Sequence, residues 1–190
     1  MRTDLIDAFA QTYKPTIVTG KPDEELLRFA EEMLPPEIVY LWQSYGFGDY
    51  GNGILKVVDP RDYMENLYDW LGKVDYSRIP LFVTAFGDIL YYRKLKDGEN
   101  DIALLDIHYR SSDVFGYRWE TFFECVLSTK EALRRFLREA LFREAVEKFG
   151  PLKHEEIFYF APALALGGGE SLKFLRKGNG FVHQKVLLQL

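Results

Sequence analysis

The sequence of 190 residues predicts an α+β protein in which helices pack on a mainly antiparallel sheet. Apolar residues in the N-terminal third recur at spacings of three and four, which is the period of an amphipathic helix. The middle of the chain contains three segments rich in β-branched and aromatic residues. Short turn signals separate these segments, and strands joined by such turns run antiparallel.

Four helices are predicted before the strand-rich middle. The first ends near Pro15, the second begins at Pro22, which is a favoured residue type in a first helical turn, and the third ends at Gly46. A glycine-rich loop and a short strand over residues 54–58 follow. Asp59 then caps the fourth helix, because its carboxylate can accept a hydrogen bond from a free amide of the first turn.

The middle and the C-terminal third complete the predicted elements. Strands are predicted over residues 80–86, 89–95 and 102–109. Ser128 and Glu131 match a capping box, so a long helix is predicted over 129–149. For the tail, the predicted elements are a strand, a tight turn, and a strand or short helix, over residues 172–177, 178–180 and 181–190.

Charge is distributed unevenly along the chain, whose net charge is −5. Residues 1–70 hold 6 Lys/Arg and 13 Asp/Glu, whereas residues 71–190 hold 18 and 16. Nucleic-acid binding needs clustered cations for the phosphates, so direct binding of nucleic acid is not expected. The acidic N-terminal third favours a basic protein partner, although a set of solvated helix faces explains the same charges.

The residues show no catalytic or metal-ligating arrangement. Gly46 to Gly51 fits the dinucleotide pattern G-x-G-x-x-G, but a helix precedes it and a strand follows, the reverse of the context that binds pyrophosphate. The three histidines lack metal-ligand spacing, and Gly167 to Gly169 lacks the lysine of a phosphate loop. We therefore expect no catalytic residues, no cofactor and no metal.

Isolated polar residues are interpreted as structural. Asp88 and Asp106 could form a carboxylate pair across strands, but turn and cap roles account for their carboxylates more simply. His154 precedes Glu155-Glu156, and a solvated polar loop explains this group better than a metal or acid–base cluster. The alternative function left open is a small-ligand-binding sensor or an enzyme that uses the glycine-rich loops, within residues 46–53 or 155–169.

The cellular setting is predicted from the cysteine count and from hydropathy. The single cysteine, Cys125, excludes an intramolecular disulfide and favours a reducing compartment. It is interpreted as a buried apolar residue. No signal peptide or membrane-spanning run is predicted, because the longest weakly polar run, 157–169, is short and interrupted by proline and glycine. A cytoplasmic protein without membrane contact is expected.

Three stretches, in this order, resemble one bacterial family. The first is W-x-x-Y-G-F-G from Trp42, continuing through Asn52-Gly53 to Tyr63; the second is T-A-F-G-D-I-L from Thr84; the third is F-x-P-A-L-x-L-G-G from Phe160. Together they resemble proteins with an N-terminal GAD-like domain and a C-terminal domain typical of type VI secretion immunity proteins, the DNase-toxin immunity family. The first stretch is also similar to the broader SUKH immunity superfamily.

The resemblance implies a function and a division into domains. It implies an immunity protein that binds a cognate secreted toxin, a nuclease, and neutralises it by occlusion without catalysis. The GAD-like domain is expected over residues 1–110 and the C-terminal immunity-type domain over 111–190, with an interface shared between them. The protein is expected to be a monomer.

The partner surface is predicted from charge, not from the resemblance. Glutamates crowd a short span in which Arg28 is the one cation, and a nuclease must carry a cationic groove for its phosphate substrate. Two aromatic residues lie on the glycine-flanked loop, and exposed aromatic residues often carry binding affinity. The predicted partner-binding residues are Glu24, Glu25, Glu31, Glu32, Glu37, Phe47 and Tyr50.

Overall fold

An antiparallel sheet of seven strands forms the centre of the computed structural model, which describes residues 2–128 and 136–190. The seven strands follow one another in chain order, and every neighbouring pair is antiparallel. A two-stranded antiparallel sheet follows in the C-terminal part. The strands are β1 Pro15–Gly20, β2 Phe47–Tyr50, β3 Leu55–Val57, β4 Arg78–Thr84, β5 Ile89–Lys94, β6 Asn100–Asp106, β7 Ser111–Gly116, β8 Glu156–Phe160 and β9 Leu175–Asn179. The predicted α+β class with a mainly antiparallel sheet is confirmed.

Seven α-helices surround the strands in the described residues. They are α1 Thr3–Thr12, α2 Glu24–Met33, α3 Pro36–Tyr45, α4 Pro60–Leu71, α5 Trp119–Ser128, α6 Glu139–Phe149 and α7 Gly180–Leu188. Side-chain caps fix the start of three of them, α7 (described below) and two others: Asp23 accepts a hydrogen bond from an amide of α2 at 2.9 Å, and Asp59 accepts one from α4 at 3.0 Å. Gly72 ends α4 in the left-handed conformation, with a φ of 68°.

Helices cover both faces of the large sheet. Along β5, Leu90 and Tyr92 belong to a core that includes residues of α1, α2, α3, α5 and α6, while Ile89 and Tyr91 belong to a second core with α4 and α7. Successive strand residues point to opposite faces, so both faces of β5 are buried. Full burial of each such side chain contributes about 1.5–3 kcal/mol to folding.

The tight connections in the middle of the sheet have the predicted hairpin geometry. Gly87 adopts a φ of 87° between β4 and β5, and its amide donates to the main-chain oxygen of Thr84 at 2.9 Å. Between β5 and β6, the amide of Leu95 donates to the main-chain oxygen of Glu99 at 2.9 Å. The three strands predicted here are confirmed, with ends displaced by up to three residues.

The segment predicted as an open glycine-rich loop after α3 is mostly a strand. Its first residues form β2, which pairs with β1 on one side and β3 on the other. Gly48 has a φ of 139°, and a Cβ built there would lie 1.9 Å from the main-chain oxygen of Ile17. Glycine is therefore required at this position so that β1 can approach β2 closely.

The C-terminal third departs furthest from the sequence-based expectation. The strands β7 and β8 and the helix α5 lie where no element was predicted. The tight turn predicted over 178–180 is wrong, because Asn179 ends β9 and its side chain caps α7 by accepting a hydrogen bond from Val182 at 3.1 Å. The segment left open as strand or helix is α7.

The long helix predicted over residues 129–149 is described only in part. Residues 136–138 are not helical, which corrects the predicted continuous helix: α6 begins at Glu139, and Arg138 precedes it in a left-handed conformation with a φ of 47°. Residues 129–135, and with them Glu131 of the predicted capping pair, lie outside the described part of the chain, and Ser128, the other member, is the last residue of α5. The prediction that Gly150 ends this helix is confirmed.

Candidate functional site

The surface of α2 carries exposed carboxylates. Leu26 and Ala30 pack into the core, so the glutamates on the other side of this helix point outward. Four of them are exposed, and none forms an ion pair with any residue that the structure describes. These four residues, which we call the acidic face, are Glu24, Glu25, Glu31 and Glu32.

Two cations near the acidic face are engaged by other groups, while Arg28, on α2 itself, is exposed. Arg61 lies between Asp23, before α2, and Asp59, before α4, at nitrogen–oxygen distances of 2.8 and 2.7 Å. Lys94 donates to the main-chain oxygen of Glu32 at 3.1 Å. The carboxylates of the acidic face form no ion pair with a described side chain, and the four of them stand against the single cation Arg28 on α2. Such a surface attracts basic molecules over a distance set by ionic strength.

Three of the predicted partner-binding residues are buried, and this corrects the prediction that they are exposed. Glu37 lies at the start of α3, and its carboxylate accepts a hydrogen bond from the main-chain amide of Arg2 at 2.8 Å. Tyr50 is fully buried and donates to the main-chain oxygen of Gly46 at 2.8 Å. Phe47 packs in the same core. Both aromatic residues belong to β2, an internal strand, and not to a surface loop.

A buried arginine joins the C-terminal part of the chain to the large sheet. The guanidinium of Arg138 donates to Asp88 at 2.6 Å, to Asp106 at 3.0 Å and to Glu170. It also lies over the ring of Phe86, 5.4 Å from the ring centroid. Burial by itself lowers the pKa of Arg138, but the neighbouring carboxylates outweigh burial, and the net effect raises that pKa.

The two aspartates in this network also hold neighbouring turns. Asp88 is fully buried, and burial raises the pKa of its carboxyl group against the opposing effect of the arginine. Asp88 accepts a hydrogen bond from the amide of Ile107 at 3.2 Å, and Asp106 accepts from the amides of His108 and Tyr109 at 2.9 Å. The predicted turn and cap roles are confirmed. The arginine that joins them was not predicted.

A second buried network joins the large sheet to the segment before β8. Lys56 Nζ donates to Asp49 at 3.0 Å and to the main-chain oxygen of His154 at 2.8 Å, and His154 Nδ1 lies 2.9 Å from the same Asp49 oxygen. Burial raises the pKa of Asp49, but the hydrogen bonds of His154 and Lys56 outweigh burial and lower it. Burial lowers the pKa of Lys56. His154 is half-buried in this network, which corrects its interpretation as part of a solvated loop.

The described side chains do not complete a catalytic arrangement around these networks. Asp49 orients the His154 imidazole as a carboxylate orients a general base, but no described serine, threonine or cysteine is hydrogen-bonded to that ring. Within residues 2–128 and 136–190, no group of three or more His, Cys, Asp and Glu is arranged to hold a metal ion. Both networks therefore act as links between chain segments.

Other residues considered for chemistry have packing roles. A Cβ at Gly168 would lie 1.9 Å from the main-chain oxygen of Pro162, so this glycine allows close chain packing. His108 is buried, and its Nε2 lies 2.8 Å from the main-chain oxygen of Phe86. Cys125 is half-buried on α5, which corrects its prediction as a fully buried residue.

Two family models match this chain. Residues 3–104, which make up more than half of the chain, match the model described as GAD-like domain. The chain belongs to the GAD-like domain family. Residues 118–190 of this GAD-like protein match the model described as T6SS immunity protein Tdi1, C-terminal. The two matches support the assignment to type VI secretion immunity proteins that the sequence stretches suggested.

A solved structure shares the fold of this GAD-like protein. The crystal structure of Atu4351 from Agrobacterium tumefaciens is similar with a TM-score of 0.76 at 15% sequence identity, covering 96% of this chain and 88% of that chain. No curated protein matches the chain in sequence. Neither family match concerns the SUKH superfamily, so that relation stays a prediction. No described helix is long and apolar enough to cross a membrane.

Proposed function

We propose that this chain is the immunity partner of a secreted toxin nuclease and neutralises the toxin by binding and covering it, without catalysis. The observation that carries the proposal is the match of residues 118–190 to the C-terminal region of a T6SS immunity protein. The proposed place of action is the cytoplasm, where the reduced form of the single cysteine is stable. The chain meets its toxin there as a monomer.

The acidic face supports a basic partner surface. A nuclease carries cations to hold the phosphates of its substrate, and four unpaired carboxylates on α2 complement such a surface. Electrostatic attraction of this kind mainly raises the rate of association, by about 10-fold to 1,000-fold at low salt. The proposed role of Glu24, Glu25, Glu31 and Glu32 is therefore to steer the toxin onto this side of the protein.

The two buried networks support the interface proposed between the parts on either side of residue 110. In that division, Asp88 and Asp106 belong to the GAD-like part, and Arg138 and Glu170 belong to the C-terminal part. The network of Lys56 also spans the division. A toxin that contacts both parts would thus meet one surface held in a fixed arrangement, and rigid surfaces lose less conformational entropy on binding.

Charge reversal on α2 tests the proposal. The toxin candidate encoded beside this chain's gene is made catalytically inactive, and its association with the immunity chain is followed by stopped-flow fluorescence at several salt concentrations. The fourfold variant Glu24→Lys, Glu25→Lys, Glu31→Lys and Glu32→Lys is expected to associate at least about 10-fold more slowly at low salt. Its association rate should also depend less steeply on salt.

A control variant carries the same change in net charge away from α2. It reverses four exposed acids elsewhere in the chain, namely Glu99, Asp113, Glu144 and Glu147. The control is expected to slow association less than the α2 variant, because local charges steer more strongly than distant, screened ones. Equal effects of the two variants would exclude the acidic face as the docking side. Failure of the native chain to bind the toxin at all would overturn the proposed function.

A further inference from the structure

A cavity of about 410 Å³ opens beside the acidic face, between the α2–α3 connection, the ends of β5 and β6, and the start of α5. Its size lies within the range of sites that bind small molecules or single side chains. Apolar atoms of Met33, Leu34, Pro35 and Pro36 line one side. Polar groups line the rest, and they are Glu32, Glu37, Tyr92, Lys94, Asn100, Trp119 and Glu120.

Two of the lining side chains have hydrogen-bonding atoms that are not used. Tyr92 and Trp119 are each only 5% exposed, so nearly all of both side chains is withdrawn from water. Neither Tyr92 Oη nor Trp119 Nε1 has a hydrogen-bond partner among the residues that the structure describes. Trp42 Nε1 and His108 Nδ1 are the described side-chain atoms that are both fully buried and without a hydrogen-bond partner. Tyr92 Oη and Trp119 Nε1 are not among these buried atoms, so both are accessible from the cavity. These two polar atoms therefore face the cavity without a partner in the described part of the protein and are free to bond a group that enters it.

The charge of the cavity selects a cation. Three carboxylates line it, from Glu32, Glu37 and Glu120, against the ammonium of Lys94 and the guanidinium of Arg118, which pairs with Glu120 at 2.8 Å. Glu37 is 7% exposed, and the hydrogen bond it accepts comes from an uncharged main-chain amide. Burial, and then the carboxylates of Asp101 and Glu120, raise the pKa of Tyr92 to about 12, so its phenol stays neutral. The cavity is therefore net negative.

We propose that this cavity receives an arginine side chain of the bound toxin. A guanidinium offers five N–H donors in one plane, which suits several carboxylate and phenol oxygens arranged around it. The methylene groups of arginine suit the proline and methionine side of the cavity. The Trp119 indole N–H is left to donate to the main chain of the toxin segment that carries the arginine. This inference rests on the proposed function.

The first experiment uses a capped amino acid in place of the toxin. Acetyl-arginine-amide is titrated into the full chain labelled with ¹⁵N, and the Trp119 indole resonance is followed by NMR. A saturable shift is expected with the arginine probe, and none with acetyl-citrulline-amide, which has the same shape without the charge. Tyr92→Phe and Glu120→Gln are expected to weaken binding of the arginine probe about 10-fold each, since each removes one hydrogen-bonding or charged group. Glu25→Gln, on the acidic face but outside the cavity, should leave it unchanged.

Four outcomes of the probe experiment overturn the inference. The first is the absence of a saturable Trp119 shift, and the second is an equal shift with citrulline. The third is arginine binding that survives both cavity variants. A tighter response to acetyl-lysine-amide than to the arginine probe would also overturn it, because it would mark a site for an ammonium. Each variant's folded state is checked first by its amide spectrum, and Tyr92→Phe, which removes one hydroxyl, keeps the test valid if Glu120→Gln unfolds.

The second experiment uses the toxin and separates this inference from the proposed function. If the toxin binds the native chain, Tyr92→Phe and Glu120→Gln are expected to raise its dissociation rate about 10-fold, with the association rate nearly unchanged. Unchanged dissociation from both variants would overturn the inference and leave the proposed function standing. If the toxin does not bind the native chain, the proposed function fails even where the cavity binds the arginine probe.

Discussion

Replacement of Arg138 by methionine tests the role assigned to the buried arginine network. Arg138→Met keeps the long apolar stem of the side chain and removes the guanidinium. The change leaves Asp88, Asp106 and Glu170 without their shared cation, and Asp88 is fully buried. The left-handed backbone at this position is equally unfavourable for both side chains, so backbone strain cancels in the comparison.

The expected loss follows from the burial of the network. Removing one partner of a buried ion pair costs about 3–5 kcal/mol. Asp88 limits the cost because burial already raises the pKa of its carboxyl group, so it can take up a proton. We expect a loss of about 3 kcal/mol, which corresponds to a Tm lower by about 6–12 °C for a chain of this size. The penalty should be greatest at neutral pH and should shrink as the pH falls through the raised pKa of Asp88.

Urea unfolding followed by circular dichroism measures this loss. Arg143→Met is the matched control on α6, because Arg143 forms an exposed i,i+4 pair with Glu139 and its loss should cost less than about 0.5 kcal/mol. Adding Asp88→Asn to Arg138→Met should recover about 1–3 kcal/mol relative to the sum of the single losses. A loss for Arg138→Met below about 1 kcal/mol, or one equal to that of Arg143→Met, would refute the reasoning.

Three further changes test other parts of the structure. The pKa of Asp49 is lowered on folding, so its contribution to the free energy of unfolding is fully present above about pH 4 and is lost as the pH falls through the folded pKa. Asp49→Asn should therefore flatten the acid limb of a stability–pH curve measured by urea midpoints. Gly48→Ala should cost about 2–3 kcal/mol because its Cβ would meet Ile17, whereas Gly20→Ala, which meets nothing within 4 Å, should change the midpoint little. Gln184→Ala should cost about 2 kcal/mol in thermal unfolding, because it leaves two buried hydrogen-bonding partners unpaired.

The elements that sequence analysis predicted well are those with local signals. Asp59 caps α4 as predicted, and α2 begins at Glu24, two residues after the predicted start at Pro22. The strands β4, β5 and β6 are rich in β-branched and aromatic residues and are bounded by turn residues. In each of these cases, the residues that predict the element and the residues that mark its ends are close together in the sequence.

Two of the missed strands, β1 and β2, lack such local signals. β1 is an edge strand, and four of its six residues are exposed, so it shows no alternation of buried and exposed positions. β2 contains Gly48, and glycine is read as a loop residue although here it permits close strand approach. Misassignment of β2 as a loop led directly to the prediction of Phe47 and Tyr50 as exposed binding residues.

The buried networks were missed because their members are far apart in sequence. Arg138 and Asp88 are separated by 50 residues, and His154 and Asp49 by 105. No pattern of residue spacing in a sequence predicts a contact between residues that are so far apart along the chain. The same holds for the cavity, whose walls come from α2, α3, β5, β6 and α5. The acidic residues of α2 were found because they are adjacent along the helix, while the buried position of Glu37 depends on how α3 packs.

Titration of toxin activity with this chain tests the proposed mechanism most directly. Nuclease activity is measured while the chain is added to a fixed amount of toxin, and the toxin is then recovered by denaturing and refolding the complex. Neutralisation by occlusion predicts a linear fall in activity that reaches zero at an equimolar ratio, followed by recovery of intact, active toxin of unchanged mass. Complete inactivation by far less than one equivalent, or a toxin of altered mass, would show that the chain acts as an enzyme and would contradict the account.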